Sequence, residues 1–281
     1  MPELPEVETI VRELREQIIN SKILDIKVNY EKIIDTHTPE EFKSILKNQT
    51  ICKINRRAKY IVMQLSNSYF LILHLRMTGK LFIKNCDIST TKHDHIIFIM
   101  DNGKQLFYND TRKFGRFYLT IHKNNILGKL GPEPLGDDFI LSEFQIKLSA
   151  TQRKIKSLLL DQHFLAGLGN IYVDEALWEA RIHPEQPAYQ ISKSSQIALY
   201  NSIQNVLEKG IDNKGTSLGD GQGNYSSTEN QRGKNQSVLK VFARTGEPCY
   251  ICASQIKKTV VVQRGTHWCP KCQKIKKILK L

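Results

Sequence analysis

Residues 249–272 read CYICASQIKKTVVVQRGTHWCPKC, and this stretch decides the carboxyl-terminal part of the fold. Cys249 and Cys252 form one close pair, Cys269 and Cys272 form a second, and sixteen residues separate the pairs. This spacing is typical of two knuckles that close a tetrahedral four-thiolate zinc site. Because four protein ligands fill the coordination sphere, the sequence predicts that this one zinc ion is structural and not catalytic. We also expect no catalytic metal or organic cofactor elsewhere.

The residues between the cysteine pairs, IKKTVVVQRGTH (256–267), predict a β-hairpin with QRGT at its turn. Such a turn would point Arg264 outward, either as a solvated cation or as a rigid probe of a phosphate or a groove. His267 is either a spare metal ligand or a residue that faces solvent or DNA, and we expect the second.

The zinc motif lies in the most basic part of the chain. Residues 231–281 contain twelve Lys or Arg residues and one acidic residue, Glu247. The 281-residue chain has 41 Lys and Arg against 28 Asp and Glu, a net charge of +13. A charge excess of this size favours a polyanionic partner such as a nucleic acid.

Two observations bear on location. No apolar run approaches the roughly 20 residues of a membrane-spanning helix, and the first residues lack the pattern of a signal peptide. We therefore predict a cytoplasmic protein with no membrane partner, where paired cysteines favour a metal over disulfides. Cys52 and Cys86 stand alone in the sequence and receive no role.

Periodicity divides the rest of the chain. Residues 1–126 begin with helically spaced apolar residues and continue as β-branched and aromatic runs, which predicts an α+β fold with a helix-flanked β-sandwich. Gly and Pro residues predict a linker over 127–138, and helical patterns predict a module over 139–236. The polar stretch 217–237 has almost nothing to bury and should be a mobile loop. The zinc finger then occupies 237–281.

Several motifs together resemble the bacterial formamidopyrimidine-DNA glycosylases. They are MPELPEVET (1–9), RRAKY (56–60), KHDH (92–95), DTRKFGR (110–116), LGPEPLGDDF (130–139), DQHFLAGLGNIYVDEAL (161–177), GEPC (246–249) and RGTHWCPKC (264–272). The resemblance implies a β-sandwich, a helix-two-turns-helix module and a zinc finger. It also implies a monomeric bifunctional enzyme that excises 8-oxoguanine and formamidopyrimidines from double-stranded DNA. The strand would then be cleaved at the abasic site by β,δ-elimination.

The amino terminus has a chemical interpretation once Met1 is removed. A free α-amino group has a pKa of about 7.7–8.0, against about 10.4 for Lys, so a large fraction is neutral near pH 7.5. Pro2 would attack the sugar C1′ as a secondary amine and form an iminium, an electron sink for elimination. By the resemblance, Glu3 moves protons during these steps. Glu6 either supports Glu3 or only interacts with the helix dipole.

The resemblance also assigns two cations. Lys59 becomes a proton donor or phosphate contact during β-elimination, whereas composition alone would make it a surface cation. Arg264 takes part in δ-elimination or grips the phosphate of the lesion.

Further residues match those that handle the duplex in the family. Extruding a base leaves a gap in the stack, and Met77, Arg112 and Phe114 match the residues that enter it. Met77 and Phe114 adjoin strands, so a place in the core is the alternative for both.

Phosphate contacts form the second matching set. The resemblance makes His93, Lys156 and Asn170 contacts to the DNA backbone, with Asn170 at the start of a helix whose N–H groups suit an anion. His74 is either another such contact or a satisfied core histidine.

Loop 217–237 departs from the family pattern because it lacks the usual aromatic Gly-Lys-Pro-Gly-type segment, which leaves the preferred lesion and the role of Tyr225 open.

Two other functions fit part of the sequence. One is a related glycosylase for pyrimidine lesions, and the other is a non-catalytic zinc-ribbon protein that binds nucleic acid. The PELPEVE opening favours the purine enzyme, and only the non-catalytic alternative gives Pro2 no task.

Overall fold

The computed structural model describes residues 1–85, 90–219 and 225–276. Cys86 and part of the predicted loop lie outside the described residues. The chain forms two compact units, one of residues 1–129 and 211–236, the other of residues 130–210 and 237–281. Residues 211–236 thus belong with the amino-terminal unit, while the sequence-based domain limits remain a prediction. Among the described residues, no helix is both long and apolar enough to cross a membrane.

The first unit contains two four-stranded antiparallel sheets, which confirms the predicted sandwich. One sheet has the order β1-β6-β7-β5 and the other β2-β3-β4-β8. The strands are β1 (Ile23–Val28), β2 (Ile51–Arg57), β3 (Tyr60–Leu65), β4 (Phe70–His74), β5 (Gly79–Asn85), β6 (Asp94–Met100), β7 (Lys104–Asp110) and β8 (Arg116–Thr120). Among the described residues, three α-helices lie wholly within this unit: α1 (Leu4–Ile18), α2 (Pro39–Leu46) and α3 (Asn124–Leu127).

Helix α1 starts three residues from the amino terminus, as its apolar spacing predicts. Pro5 stands in its first turn, where a missing N–H costs nothing. Its apolar stripe is almost completely buried in one core cluster with residues of both sheets. The stripe consists of Val7, Ile10, Val11, Leu14 and Ile18. Burial of this stripe holds the chain terminus in a fixed place, where most termini fray.

The second unit is built from helices and a hairpin. Its helices are α4 (Leu141–Ser149), α5 (Ile155–Leu159), α6 (Asn170–Glu179) and α7 (Lys193–Asp212), the last two residues of α7 belonging to the first unit. The hairpin pairs β9 (Lys257–Val261) with β10 (Arg264–Trp268). Val262 and Gln263 form its turn, both with positive φ. The predicted hairpin is therefore present, but its turn lies earlier than expected. The two residues with left-handed backbone are Val262 and Gln263, so Arg264 follows the turn as the first residue of β10.

The polar stretch after residue 224 differs from expectation. Tyr225 is 5% exposed and joins the core cluster of the first unit, and Thr228 is 1% exposed. The expectation that this stretch buries almost nothing is wrong for residues 225–228. Local composition could not show this, because the Thr228 N–H donates to Glu13 on helix α1, 215 positions earlier in the chain.

Candidate active site and DNA-contact residues

Two buried carboxylates lie beside the chain terminus, one on the residue that caps helix α1 and one in its first turn. Glu3 is 3% exposed and Glu6 is 2% exposed. The Glu3 N–H donates to Glu6 Oε2 at 2.8 Å, and the Thr216 N–H donates to Glu6 Oε1 at 2.7 Å. Pro2 is buried as well. Glu6 therefore links the backbone of Glu3 to the backbone of Thr216. These hydrogen bonds come in addition to any interaction of Glu6 with the helix dipole.

Lys59 lies in the two-residue turn between β2 and β3. Arg57 pairs with Tyr60, which leaves Ala58 and Lys59 as the turn residues. Ala58 has φ +53°, a left-handed conformation that costs a non-glycine residue about 1–2 kcal/mol. Lys59 is only 5% exposed, so the turn carries a largely buried ammonium group. Both flanking strands pack against α1.

Met77, Arg112 and Phe114 lie on two adjoining loops of the first unit. The Arg112 N–H donates to Thr78 Oγ1 at 3.2 Å, which ties the two loops together. The Arg112 guanidinium lies 4.7 Å from the centroid of the Phe114 ring. Phe114 is 46% exposed and Met77 is half-buried. Phe114 is therefore not a core residue, and it stacks with an exposed cation at the protein surface.

Asp110 holds this pair of loops, although the sequence analysis gave it no role. Its carboxylate accepts hydrogen bonds from Thr78 Oγ1 at 2.5 Å, Gly115 N–H at 2.9 Å and Tyr108 Oη at 3.0 Å. Burial raises the pKa of the Asp110 carboxyl, but these hydrogen bonds outweigh it and the pKa lies below its usual range. A charged carboxylate thus fixes the backbone on either side of Arg112 and Phe114.

His74 is a buried histidine at the end of β4. It is 6% exposed, its Nδ1 accepts the Arg76 N–H at 3.0 Å, and its ring meets the Tyr60 ring edge-on at 4.6 Å. Burial lowers the pKa of His74 to about 3, helped by the charges of Arg76 and Lys59. Neutral imidazole at physiological pH fits the satisfied core histidine better than an anion contact.

His93 and His95 differ sharply in environment. His93 is half-buried and directly precedes β6, whereas His95 is 2% exposed and its Nε2 lies 2.7 Å from the carbonyl oxygen of Asp110. The two rings therefore do not share one accessible face, since His95 belongs to the core. His93 keeps a surface position from which a phosphate contact is feasible.

In the second unit, Lys156 has a different partner from the phosphate expected. It is 0% exposed, and its Nζ donates to Asp174 Oδ1 at 2.6 Å and to the Gly265 carbonyl at 3.2 Å. Asn170 Nδ2 donates to the same carbonyl at 2.8 Å. A completely buried ammonium offers no surface to DNA, and what it holds is the backbone next to Arg264. Arg264 itself is exposed.

His267 is also placed differently from the expectation. It is 7% exposed, its N–H donates to Asp174 Oδ2 at 2.8 Å, and its ring packs on Phe242 at 5.0 Å. It neither joins the cysteines nor faces solvent. Asp174 therefore holds β10 directly through the His267 N–H and indirectly through Lys156, which donates to the Gly265 carbonyl. These bonds fix the strand that begins with Arg264.

The four cysteines of the opening stretch come together as predicted. Their sulfur atoms lie within 4.8 Å of one another, with Cys252 and Cys269 Sγ at 3.4 Å and Cys249 and Cys272 Sγ at 4.0 Å. Tetrahedral zinc with Zn–S bonds of about 2.3 Å places sulfurs about 3.8 Å apart. The four thiols therefore fit a structural zinc ion, and they form the one such group within the described ranges.

Glu175, next to Asp174 on α6, supports the segment that leads to this cluster. Its carboxylate accepts the N–H groups of Lys240, Val241 and Phe242 at 2.8–2.9 Å. Burial raises the pKa of Glu175 in spite of these bonds. The structure buries both acids of this helix, and buried carboxylates need hydrogen-bond partners.

Comparisons with known proteins agree with this architecture. Three family models match in order along the chain: the formamidopyrimidine-DNA glycosylase N-terminal domain over residues 1–117, its H2TH domain over 130–221, and a zinc finger found in FPG and IleRS over 246–275. Together with the buried amino-terminal carboxylates and the four-cysteine cluster, they define the class as a zinc-finger DNA glycosylase.

Full-length relatives then specify the family. The formamidopyrimidine-DNA glycosylase of Protochlamydia amoebophila is 47% identical over 98% of this chain and 100% of its own. Solved structures are similar as well. The complex of Lactococcus lactis Fpg with abasic-site DNA is 41% identical, with a TM-score of 0.90, over 97% of this chain and 99% of its own. The complex of MutM with DNA containing carbocyclic 8-oxo-G is 41% identical, with a TM-score of 0.89, over 97% of this chain and 100% of its own. The chain belongs to the formamidopyrimidine-DNA glycosylase family.

Proposed function

We propose that this protein acts in base-excision repair, removing oxidised purines from duplex DNA and then cleaving the strand at the resulting abasic site. The observation that carries the proposal is the full-length match to formamidopyrimidine-DNA glycosylases together with a Pro2 that directly precedes a fixed, buried helix start. Relatives crystallised with abasic-site DNA and with 8-oxo-G DNA support the same substrate class.

The proposed reaction begins after Met1 is removed. The Pro2 nitrogen attacks C1′ of the damaged nucleotide, the bond from C1′ to the base breaks, and the sugar ring opens to an iminium. Glu3 transfers protons to and from the sugar, and Glu6 keeps the backbone of Glu3 in place through the 2.8 Å hydrogen bond. The positive iminium then accepts electrons as a proton leaves C2′ and the 3′ phosphate departs.

Lys59 and Arg264 serve the elimination steps in this proposal. Lys59 supplies a proton or holds a phosphate during β-elimination, and Arg264 contacts the phosphate during δ-elimination. The structural zinc contributes folding energy to the finger, and the pair formed by Lys156 and Asp174 fixes β10, so that the exposed Arg264 starts a rigid strand.

The DNA is held and opened by a second group of residues. Arg112 and Phe114, stacked at the surface, fill the gap left by the extruded base, with Met77 beside them on the adjoining loop. His93 and Asn170 contact phosphates, whereas the burial of His74 supports an indirect role. We propose a monomer that needs no catalytic metal or organic cofactor and works on the nucleoid in the bacterial cytosol.

Borohydride trapping on an 8-oxoguanine duplex, followed by peptide mapping, tests the proposal. We expect a covalent adduct at Pro2, a weaker adduct and less strand cleavage for Pro2→Gly, and neither for protein whose terminus is blocked. The control substrate is the same duplex with an oxidised pyrimidine in place of 8-oxoguanine. Equal cleavage by the blocked protein would refute the mechanism. Trapping only on the pyrimidine duplex would favour the related specificity, and no trapping even on abasic DNA would favour a non-catalytic binder.

A further inference from the structure

The turn that carries Lys59 contains a buried residue in a strained backbone conformation, which contacts around it must hold in place. Ala58 adopts φ +53° and is 1% exposed, so a strained residue is held inside the protein. Such conformations persist when surrounding contacts over-determine them. The residues that supply those contacts therefore influence the position of Lys59.

Arg56 provides one of these contacts from within the hairpin. Its Nη1 donates to the Ala58 carbonyl oxygen at 3.2 Å. This carbonyl belongs to the peptide bond that joins Ala58 to Lys59. Its Nε donates to Glu8 Oε2 at 3.0 Å. The side chains of Arg56 and Glu8 are only 11% and 15% exposed, so this pair is shielded from solvent and less screened than a surface pair.

Glu8 extends the connection to the amino terminus. It lies on α1, the helix that begins at Leu4 and places Glu3 and Glu6 beside Pro2. Burial raises the pKa of Glu8, but the hydrogen bonds and charges of Arg12 and Arg56 outweigh burial and bring the pKa below its ordinary value. The carboxylate is therefore ionised near neutral pH. Helix α1 thus carries Glu8, which binds the Arg56 side chain that contacts the Lys59 turn, and Pro2 lies two residues before the first residue of the same helix.

We infer that Glu8 and Arg56 are positioning residues that set the place of Lys59 relative to the amino-terminal nucleophile. The inference rests on the proposed function, because it gives Lys59 a task in elimination. Misplacing a catalytic group by about 1 Å can cost about 100-fold in rate. We therefore expect Glu8→Gln and Arg56→Lys to slow β-elimination by about 10- to 100-fold.

The chain provides two matched controls on the same helix. Arg15 also links α1 to β2, through Ile54 O at 2.6 Å and Asn55 Oδ1 at 3.2 Å, but its contacts end before the turn. Arg12 binds the other oxygen of Glu8 at 3.0 Å and is 58% exposed. Arg15→Lys therefore tests the general effect of loosening α1 from β2, and Arg12→Ala tests loss of a Glu8 partner on the solvent side.

The experiment measures single-turnover β-elimination on preformed abasic DNA, with DNA affinity, zinc content and melting temperature measured in parallel. All variants are assayed at the same interval below their melting temperatures. We expect the two positioning variants to lose elimination rate while keeping borohydride trapping, DNA affinity and zinc, because Lys59 acts after the iminium has formed. Both control variants should stay within about twofold of the parent rate. Equal losses in Arg15→Lys and Glu8→Gln would overturn the inference, because they would show only general loosening.

A double-mutant cycle separates this inference from the proposed function. If Glu8 acts through Lys59, Glu8→Gln should slow the reaction in the parent but add little in a Lys59→Met background. Additive losses would contradict the inference. A Lys59→Met variant as active as the parent would instead refute the proposed role of Lys59.

Discussion

Asp174→Asn tests whether the charge pair with Lys156 holds the second unit together. Both side chains are 0% exposed, and Nζ and Oδ1 are 2.6 Å apart. Removing one charge of such a pair leaves the other buried without compensation, which typically costs about 3–5 kcal/mol. The amide also places an NH2 group against either the Lys156 ammonium or the His267 N–H, so one of those hydrogen bonds is lost. We expect unfolding free energy to fall by about 3–5 kcal/mol.

The chain offers a control in the same unit. Lys154 and Glu185 form an ion pair whose side chains are 52% and 33% exposed. Exposed pairs of this kind contribute about 0–1 kcal/mol because water and salt screen them. Glu185→Gln should therefore lower the unfolding free energy by less than about 1 kcal/mol. The two substitutions are chemically equivalent changes of acid to amide.

Urea unfolding followed by tryptophan fluorescence is the suitable assay. The chain has two tryptophans, Trp178 and Trp268, and both lie in the second unit, so the signal reports on the unit that carries the mutation. The midpoint should shift without a change in slope if only stability is affected. Equal shifts for Asp174→Asn and Glu185→Gln would refute the argument. Joint replacement by Lys156→Met and Asp174→Leu should recover part of the loss, since it leaves no buried charge.

Three further predictions concern the metal, a histidine and the surface pair. Cys269→Ala should release zinc and weaken binding to all DNA duplexes, measured by metal content and filter binding; unchanged affinity in metal-free protein would contradict it. The lowered pKa of His74, about 3 against 6.5, means that the unfolded chain binds the extra proton first, so stability falls as pH drops below 6.5. Between pH 7 and 5 the parent should therefore lose about 2 kcal/mol of unfolding free energy that His74→Gln does not lose. The same fall in unfolding free energy for parent and variant over this pH range would contradict the prediction. Arg112→Ala should weaken lesion-DNA binding about tenfold while Lys113→Ala does not; equal effects would point to general charge alone.

The parts of the fold that follow local rules were predictable. Apolar residues at a spacing of 3.6 placed α1 and the helices of the second unit, and β-branched runs placed the strands of the sandwich, because these periods directly determine which face can be buried. The cysteine spacing likewise predicted the thiol cluster, since short knuckles bring each pair together locally.

The candidate site was predictable where a residue type has few alternative uses. Pro2 and the acids after it have little purpose at a frayed terminus, and the structure places Glu3 and Glu6 in a buried arrangement. Asp110 was missed even though it begins the quoted motif DTRKFGR, because its function is to accept hydrogen bonds from Thr78 and Gly115. The motif alone does not show which hydrogen-bond donors the Asp110 carboxylate will contact in the folded protein.

The sequence by itself determined the cysteine cluster that fits a zinc ion, the secondary-structure elements and the family of this protein, because those depend on residue spacing and motifs within short windows. Only the tertiary structure decided that Lys156 is buried and not available to a phosphate, since its contact with Gly265 joins positions 109 residues apart. It also decided that His267 packs inward and that Tyr225 enters the core. A charged or polar side chain can be buried only where distant groups satisfy it, and the fold brings those groups together in a way that no local pattern records.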